Sequence, residues 1–105
     1  MFTARITKGH SSRPNTVVLR LDKEALDEIG TRIVLDRTRM TIRPASLDER
    51  MHLNLNRKTR ATTIQVPHTS SVDEWIGDYW VRGNKDGTHF QLLRDDLEIE
   101  DLEMV

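Results

Sequence analysis

The sequence predicts a β-rich α+β fold, a small pseudo-two-fold barrel built from two strand-loop-strand-helix-strand units. Three observations carry that expectation. Thr16-Val17-Val18-Leu19, followed by a short helical stretch ending Glu28-Ile29-Gly30, recurs as Thr63-Ile64-Gln65-Val66 followed by one ending Trp75-Ile76-Gly77. Val17/Ile64, Leu19/Val66, Ile29/Ile76, Gly30/Gly77, Ile33/Trp80 and Val34/Val81 all pair at one offset of 47 residues, the mark of a repeated supersecondary unit. The apolar residues between these landmarks come in short alternating runs separated by Gly, Pro, Asn and Asp, which is the rhythm of strands and turns.

The elements follow in order. Phe2 to Thr7 alternates apolar and polar residues and ends in the loop formers Lys8 to Asn15; Val17 to Leu21 is β-branched and apolar enough for a second strand. Asp22 stands where a helix N-cap belongs, ahead of Ala25, Leu26 and Ile29 at helical spacing, and Gly30 closes that helix. Ile33-Val34-Leu35 and Met40-Thr41-Ile42 read as two strands around the polar turn 36–39. After a turn at 45–49, Met51, Leu53 and Leu55 alternate with His52, Asn54 and Asn56 as a half-buried strand would. Thr62 to Val66 is the next strand. Ser71-Val72-Asp73-Glu74 fits a capping box, in which Glu74 reaches back to the Ser71 amide, and Gly77 stops the helix that it opens. Tyr79-Trp80-Val81 and His89 to Leu92 form a hairpin around the turn 83–87, whose Asp86-Gly87 suits positive φ, and beyond it the correspondence resumes at an offset of 50.

At 105 residues the chain is one domain's worth of polypeptide. Residues 1–94 make a single barrel domain, with units of about 1–50 and 51–94, followed by an acidic tail at 95–105. Leu, Ile, Val and Phe make up about a quarter of the chain, enough for a core but a thin one. Part of the apolar face is therefore expected against a second copy, as in a homodimer, or against another protein. Without cysteine there is no disulfide framework, thiolate site or cysteine nucleophile. No apolar run reaches membrane-spanning length and the amino terminus lacks the apolar core of a signal peptide, so a cytoplasmic location and no membrane partner are expected. The net charge of −1 hides an asymmetry: residues 1–60 carry 13 Lys/Arg against 7 Asp/Glu, and residues 61–105 carry 3 against 10.

The repeated layout resembles the cradle-loop barrels, which include the double-psi β-barrels and the swapped-hairpin AbrB-type domains, over roughly residues 3–94. The closest local likeness is Asn56-Arg57-Lys58-Thr59-Arg60-Ala61-Thr62-Thr63-Ile64-Gln65-Val66-Pro67, which is similar to the AbrB-type basic loop and Pro-terminated strand. The first copy departs from it, with Arg20-Leu21 where the Pro would stand. The resemblance implies a barrel and, for the AbrB-type branch, DNA binding and transcription regulation. The two-unit amino-terminal domain of VAT-type AAA ATPases has the same layout and implies action through protein contacts.

Lys8, Arg13, Arg57, Lys58 and Arg60 precede the second strand of each unit, where guanidinium and ammonium groups on loops can engage the phosphates of DNA or RNA. These five are the candidate nucleic-acid-binding residues. The rival class is a protein-interaction module, an adaptor or small inhibitor. Its anchors are Tyr79 or Trp80, one of which must face outward on a strand, and Leu97, Ile99 and Leu102 of the acidic tail. His10, His52, His68 and His89 are scattered without the spacing of a metal pair, so no metal site is expected. Ser70 and Ser71, close to His68 and Asp73, read as helix caps rather than nucleophiles. Neither a phosphate-binding glycine loop nor a carboxylate pair marks a catalytic cleft, and the expectation is a non-catalytic protein without a cofactor.

Overall fold

The computed structural model describes residues 1–10 and 12–94. Eight strands, β1 (Phe2–Lys8), β2 (Thr16–Leu21), β3 (Arg32–Asp36), β4 (Thr41–Pro44), β5 (Leu53–Asn54), β6 (Ala61–Gln65), β7 (Gly77–Gly83) and β8 (Phe90–Arg94), form one antiparallel sheet in the order β5-β3-β4-β8-β7-β1-β2-β6. Its two edges, β5 and β6, are consecutive in the chain. The turn between them brings Asn56 N–H to Ala61 O at 2.9 Å, so the sheet curls into a nearly closed barrel. Two short helices, α1 (Lys23–Ile29) and α2 (Val72–Trp75), complete the β-rich fold. No helix among the described residues is long and apolar enough to cross a membrane.

Period-two alternation decides what lies inside. On β1, Ala4 and Ile6 are buried while Thr3, Arg5 and Thr7 are exposed; on β2, Val17, Leu19 and Leu21 are fully buried and Arg20 is exposed. Ile33, Ile42, Ile64, Val66 and Val81 are likewise sealed, and each such side chain contributes roughly 1.5–3 kcal/mol by leaving water. α1 adds Ala25, Leu26 and Ile29 to the same core, and α2 adds Trp75.

The local signals place the helices. Asp22 caps α1, its Oδ1 accepting from Ala25 N–H at 2.6 Å, and Gly30, at φ 94°, ends it with its N–H on Leu26 O. Ser71 caps α2, but its Oγ accepts from Asp73 N–H at 3.2 Å and the reciprocal bond from Glu74 is not formed. Gly9 is fixed by a close approach, since a Cβ there would lie 2.2 Å from Thr16 Oγ1 where the β1–β2 loop closes.

Two further expectations from the sequence change. Of the alternating run from Met51 to Asn56, only Leu53–Asn54 pairs as strand: Leu55 is buried, but Met51 stands 86% exposed on the β4–β5 loop. The common offset also fails within β3 and β7. Ile33 is fully buried whereas Trp80 faces out, and Val34 is half-buried whereas Val81 is fully buried. A one-residue slip turns every side chain of a strand to the other face, so these strands match in place and not residue for residue.

Exchanging β1–β4 for β5–β8 nonetheless carries the β1–β7 ladder onto β5–β3 and β3–β4 onto β7–β8, and leaves β2–β6 and β4–β8 in place. Four of these ladders join the first half of the chain to the second; within residues 1–50 only two hairpins pair. A fragment of residues 1–50 therefore shows no cooperative thermal transition as a monomer, measured by circular dichroism. A cooperative monomeric transition would show that the halves fold independently.

Candidate functional site: a groove across the barrel wall

The outer face of β7, β1 and β2 carries a groove of about 390 Å³ lined by Thr3, Arg5, Arg20, Asp22, Arg60, Asp78 and Trp80 together with Ala4, Leu21 and Tyr79. Strand register assembles it. Arg5 lies opposite Asp78 of β7 and opposite Arg20 of β2, while Trp80 lies opposite Thr3. Arg20 in turn faces Ala61 of β6, and Arg60 just before it turns into the groove.

Arg60 is held there by its backbone and its side chain together. Asn56 Oδ1 accepts from Lys58 N–H at 2.8 Å and Thr59 N–H at 3.1 Å, folding the turn, and leaves Arg60 at φ 60°. Arg60 O then accepts from Leu21 N–H, and Arg60 Nε donates back to Leu21 O at 3.2 Å. Asp22 sits beside it. Burial raises the Asp22 pKa, but hydrogen bonds from Ala25 N–H, Thr3 N–H and the Thr3 hydroxyl, together with the Arg60 charge, hold it below the ordinary aspartate value.

The charges in the groove are unevenly matched. Arg5 Nε meets Asp78 Oδ1 at 2.7 Å in an exposed pair. Arg20 has no carboxylate within 4 Å among the described residues, yet it stands directly across from Arg5. Like charges directly opposite on neighbouring strands are unfavourable in a sheet, and an anion placed between the two would relieve that repulsion. Trp80, half-buried at the rim, adds an apolar plane beside the three guanidiniums.

The two sets of residues expected from the sequence are redistributed. Because β2 and β6 run antiparallel, the loop carrying Lys8 and Arg13 lies at the Thr16/Gln65 end of the pair and the turn carrying Arg57, Lys58 and Arg60 at the Leu21/Ala61 end. Five residues of strand, roughly 17 Å at about 3.3 Å per residue, separate them, so the five do not form one surface. Lys8 and Arg13 border a smaller cavity of about 210 Å³ with His10 and Pro14; Arg57 and Lys58 are exposed at the tip of their turn. Only Arg60 enters the groove. Tyr79 is corrected as a partner anchor: it points into the barrel, 3% exposed, with its hydroxyl donating to Trp75 O at 2.6 Å and the Arg94 guanidinium over its ring. Trp80 is the outward member of the pair. Leu97, Ile99 and Leu102 lie outside the described residues. Arg5 and Arg20 were not singled out from the sequence; alternation placed both outward, but nothing local showed that β1 and β2 would set them opposite each other.

A second feature lies on the loop between β4 and β5. Arg43 Nη1 and Nη2 grip Glu49 Oε1 and Oε2 at 2.6 and 2.8 Å, Ser46 N–H and Oγ donate to Glu49 Oε1, and Arg32 Nη2 reaches Ser46 O. This brace displays Leu47, 94% exposed, and Met51. Among the described residues no group of three His, Asp or Glu side chains converges to hold a metal. Comparison with family models, curated proteins and solved structures returns no match for this chain.

The Arg43 guanidinium first, and the Ser46 amide second, pull the Glu49 carboxyl down to about 2. A depressed acid stabilises the fold fully above its unfolded value near 4.5 and loses that contribution as pH falls towards about 2. Side-chain carboxyl NMR should therefore show Glu49 titrating near 2, and Glu49→Gln should flatten the stability profile across that acid window. Titration at the ordinary glutamate value would mean that the brace does not persist in solution.

Proposed function

We propose that this protein is a non-catalytic nucleic-acid-binding barrel whose ligand lies in the β7–β1–β2 groove. The observation that carries the reading is the opposition of Arg5 and Arg20 beside Arg60 and Trp80: guanidiniums left to be bridged by an anion, next to a plane on which a base can stack. A volume of about 390 Å³ falls at the small end of ligand sites and suits one nucleotide of a strand at a time. Trp80 shifts the preference to unpaired DNA or RNA, because a base must leave its partner to lie on the ring. Lys8, Arg13, Arg57 and Lys58 then act as outlying phosphate contacts of a longer strand.

The barrel itself we assign to the cradle-loop type, as an internal duplication. Support comes from the interchange of strand pairings between the halves, and from Gly30 and Gly77, both at positive φ and 47 residues apart after the two helices. A regulatory role of the AbrB kind and a cytoplasmic location belong to the same proposal.

Fluorescence anisotropy with a labelled single-stranded oligonucleotide tests it. Affinity should fall steeply with salt, Arg20→Ala should flatten the log–log slope by about 0.7, and Trp80→Leu should cost about 1–3 kcal/mol with little change in slope. Absence of binding to single strands and duplexes at low salt and micromolar protein would end this reading.

One observation favours a second reading, a protein-interaction module. Leu47 and Met51 stand in water on a loop that the Arg43–Glu49 pair holds in shape, and a preorganised apolar pair is how a docking loop limits the entropy lost on binding. If this reading holds, Leu47→Ser with Met51→Ser abolishes capture of a protein partner and leaves the thermal midpoint within about a degree or two, since neither side chain reaches the core.

A further inference from the structure

We infer that the groove has a second occupant, the chain's own acidic segment 95–105, which competes there with an external polyanion. The contact itself stands on the geometry of the groove; the competition rests on the nucleic-acid reading above.

The place where the described chain ends is the first reason. β8 finishes at Arg94, opposite Tyr79 on β7, and the residues flanking Tyr79, Asp78 and Trp80, line the groove. From β7 the register continues through Ala4 and Leu21 to Arg60 at the far side. Three inter-strand steps of about 4.8 Å, roughly 14 Å in all, cross the whole site. Eleven residues reach up to about 36 Å when extended, so the segment begins at the lip of the groove and is long enough to traverse it.

Charge is the second reason. Residues 95–105 carry six carboxylates and no basic group. Within the groove Asp78 is already held by Arg5, and Asp22 by the Thr3 and Ala25 amides and the Arg60 charge, so the acids there are matched and Arg20 is the guanidinium that remains. A carboxylate between Arg5 and Arg20 would relieve the cross-strand repulsion that the fold otherwise carries. Pattern is the third reason: Leu97 and Ile99 alternate with Glu98 and Glu100, so an extended segment offers acids to one side and apolar groups to the other, where Trp80 and its cross-strand neighbour Leu93 lie.

Tethering makes weak contacts sufficient. A segment joined directly to the site experiences an effective concentration of about millimolar, so even a millimolar intrinsic affinity keeps the groove half occupied. An external strand that offers many phosphates and a stacking base displaces it, and the segment then sets a threshold below which short or weak polyanions do not bind.

The test uses the full chain with all six tail acids changed to amides, Asp95→Asn, Asp96→Asn, Glu98→Gln, Glu100→Gln, Asp101→Asn and Glu103→Gln, beside the unmodified protein. Two-dimensional NMR should show differences concentrated on Arg5, Arg20, Arg60 and the Trp80 indole, independent of protein concentration and abolished in 1 M salt. A synthetic peptide of residues 95–105 added to the amide variant should restore the shifts, and the single-stranded oligonucleotide should bind the amide variant about tenfold more tightly. Groove shifts without oligonucleotide binding to either protein would uphold the contact and remove the nucleic-acid reading alone. Equal oligonucleotide affinity with no groove shifts would overturn the inference and leave that reading intact. Shifts that grow with protein concentration, or that map to the Lys8–Arg13 loop, would also overturn it, placing the segment in another copy or at another site.

Discussion

The antiparallel pairing of β2 with β6, which sets Val17 opposite Ile64, is the constraint on which the rest of this structure depends. Both side chains are sealed from solvent, and each lies on the second strand of its own half of the chain. The ladder turns two sets of hairpins, neither of which can bury its own apolar face, into one enclosed core. β1–β7 and β4–β8 repeat the same join elsewhere around the barrel, so the halves are interleaved instead of stacked. The narrow gap between β5 and β6 is tolerable because a single turn spans it and supplies the last backbone hydrogen bond.

The same ladder sets the chemistry of the outer wall. Because β2 and β6 run in opposite directions, the two basic loops flanking them go to opposite ends of the pair, and the positive charge of the first sixty residues is spread over the surface. What becomes concentrated is the row Asp78, Arg5, Arg20, which no stretch of sequence contains. The one acid of the row pairs with Arg5 and leaves Arg20 opposite it with no carboxylate within 4 Å among the described residues. An interior rule, alternation towards a shared core, thus leaves an exterior conflict, and such conflicts with local stability are where binding sites are commonly found.

The β4–β5 loop makes the complementary case. A bidentate guanidinium–carboxylate pair is the strongest of ordinary ion pairs, and here it is spent on a segment that contributes nothing to the core. The result is a loop with a fixed shape and two apolar side chains in water. Groove and loop lie on different elements and draw on different chemistry, one polar and anion-seeking, the other apolar.

The sequence by itself determined the number and order of the strands, the two helices with their Asp22 and Ser71 caps, the glycines that end or follow them, and most of the core, because each rests on contacts within a few residues: alternation, capping and turn propensity. It also settled that one of Tyr79 and Trp80 must face out. Tertiary structure decided which one: Tyr79 turns inward, where its hydroxyl donates to Trp75 O, and Trp80 is left on the outer face. Tertiary structure likewise took Met51 out of its expected strand by bracing the preceding loop, shifted β7 by one residue against β3, and drew Arg5 and Arg20 together from separate strands. Register between strands is fixed by packing across the barrel, and no local window of the chain carries that information.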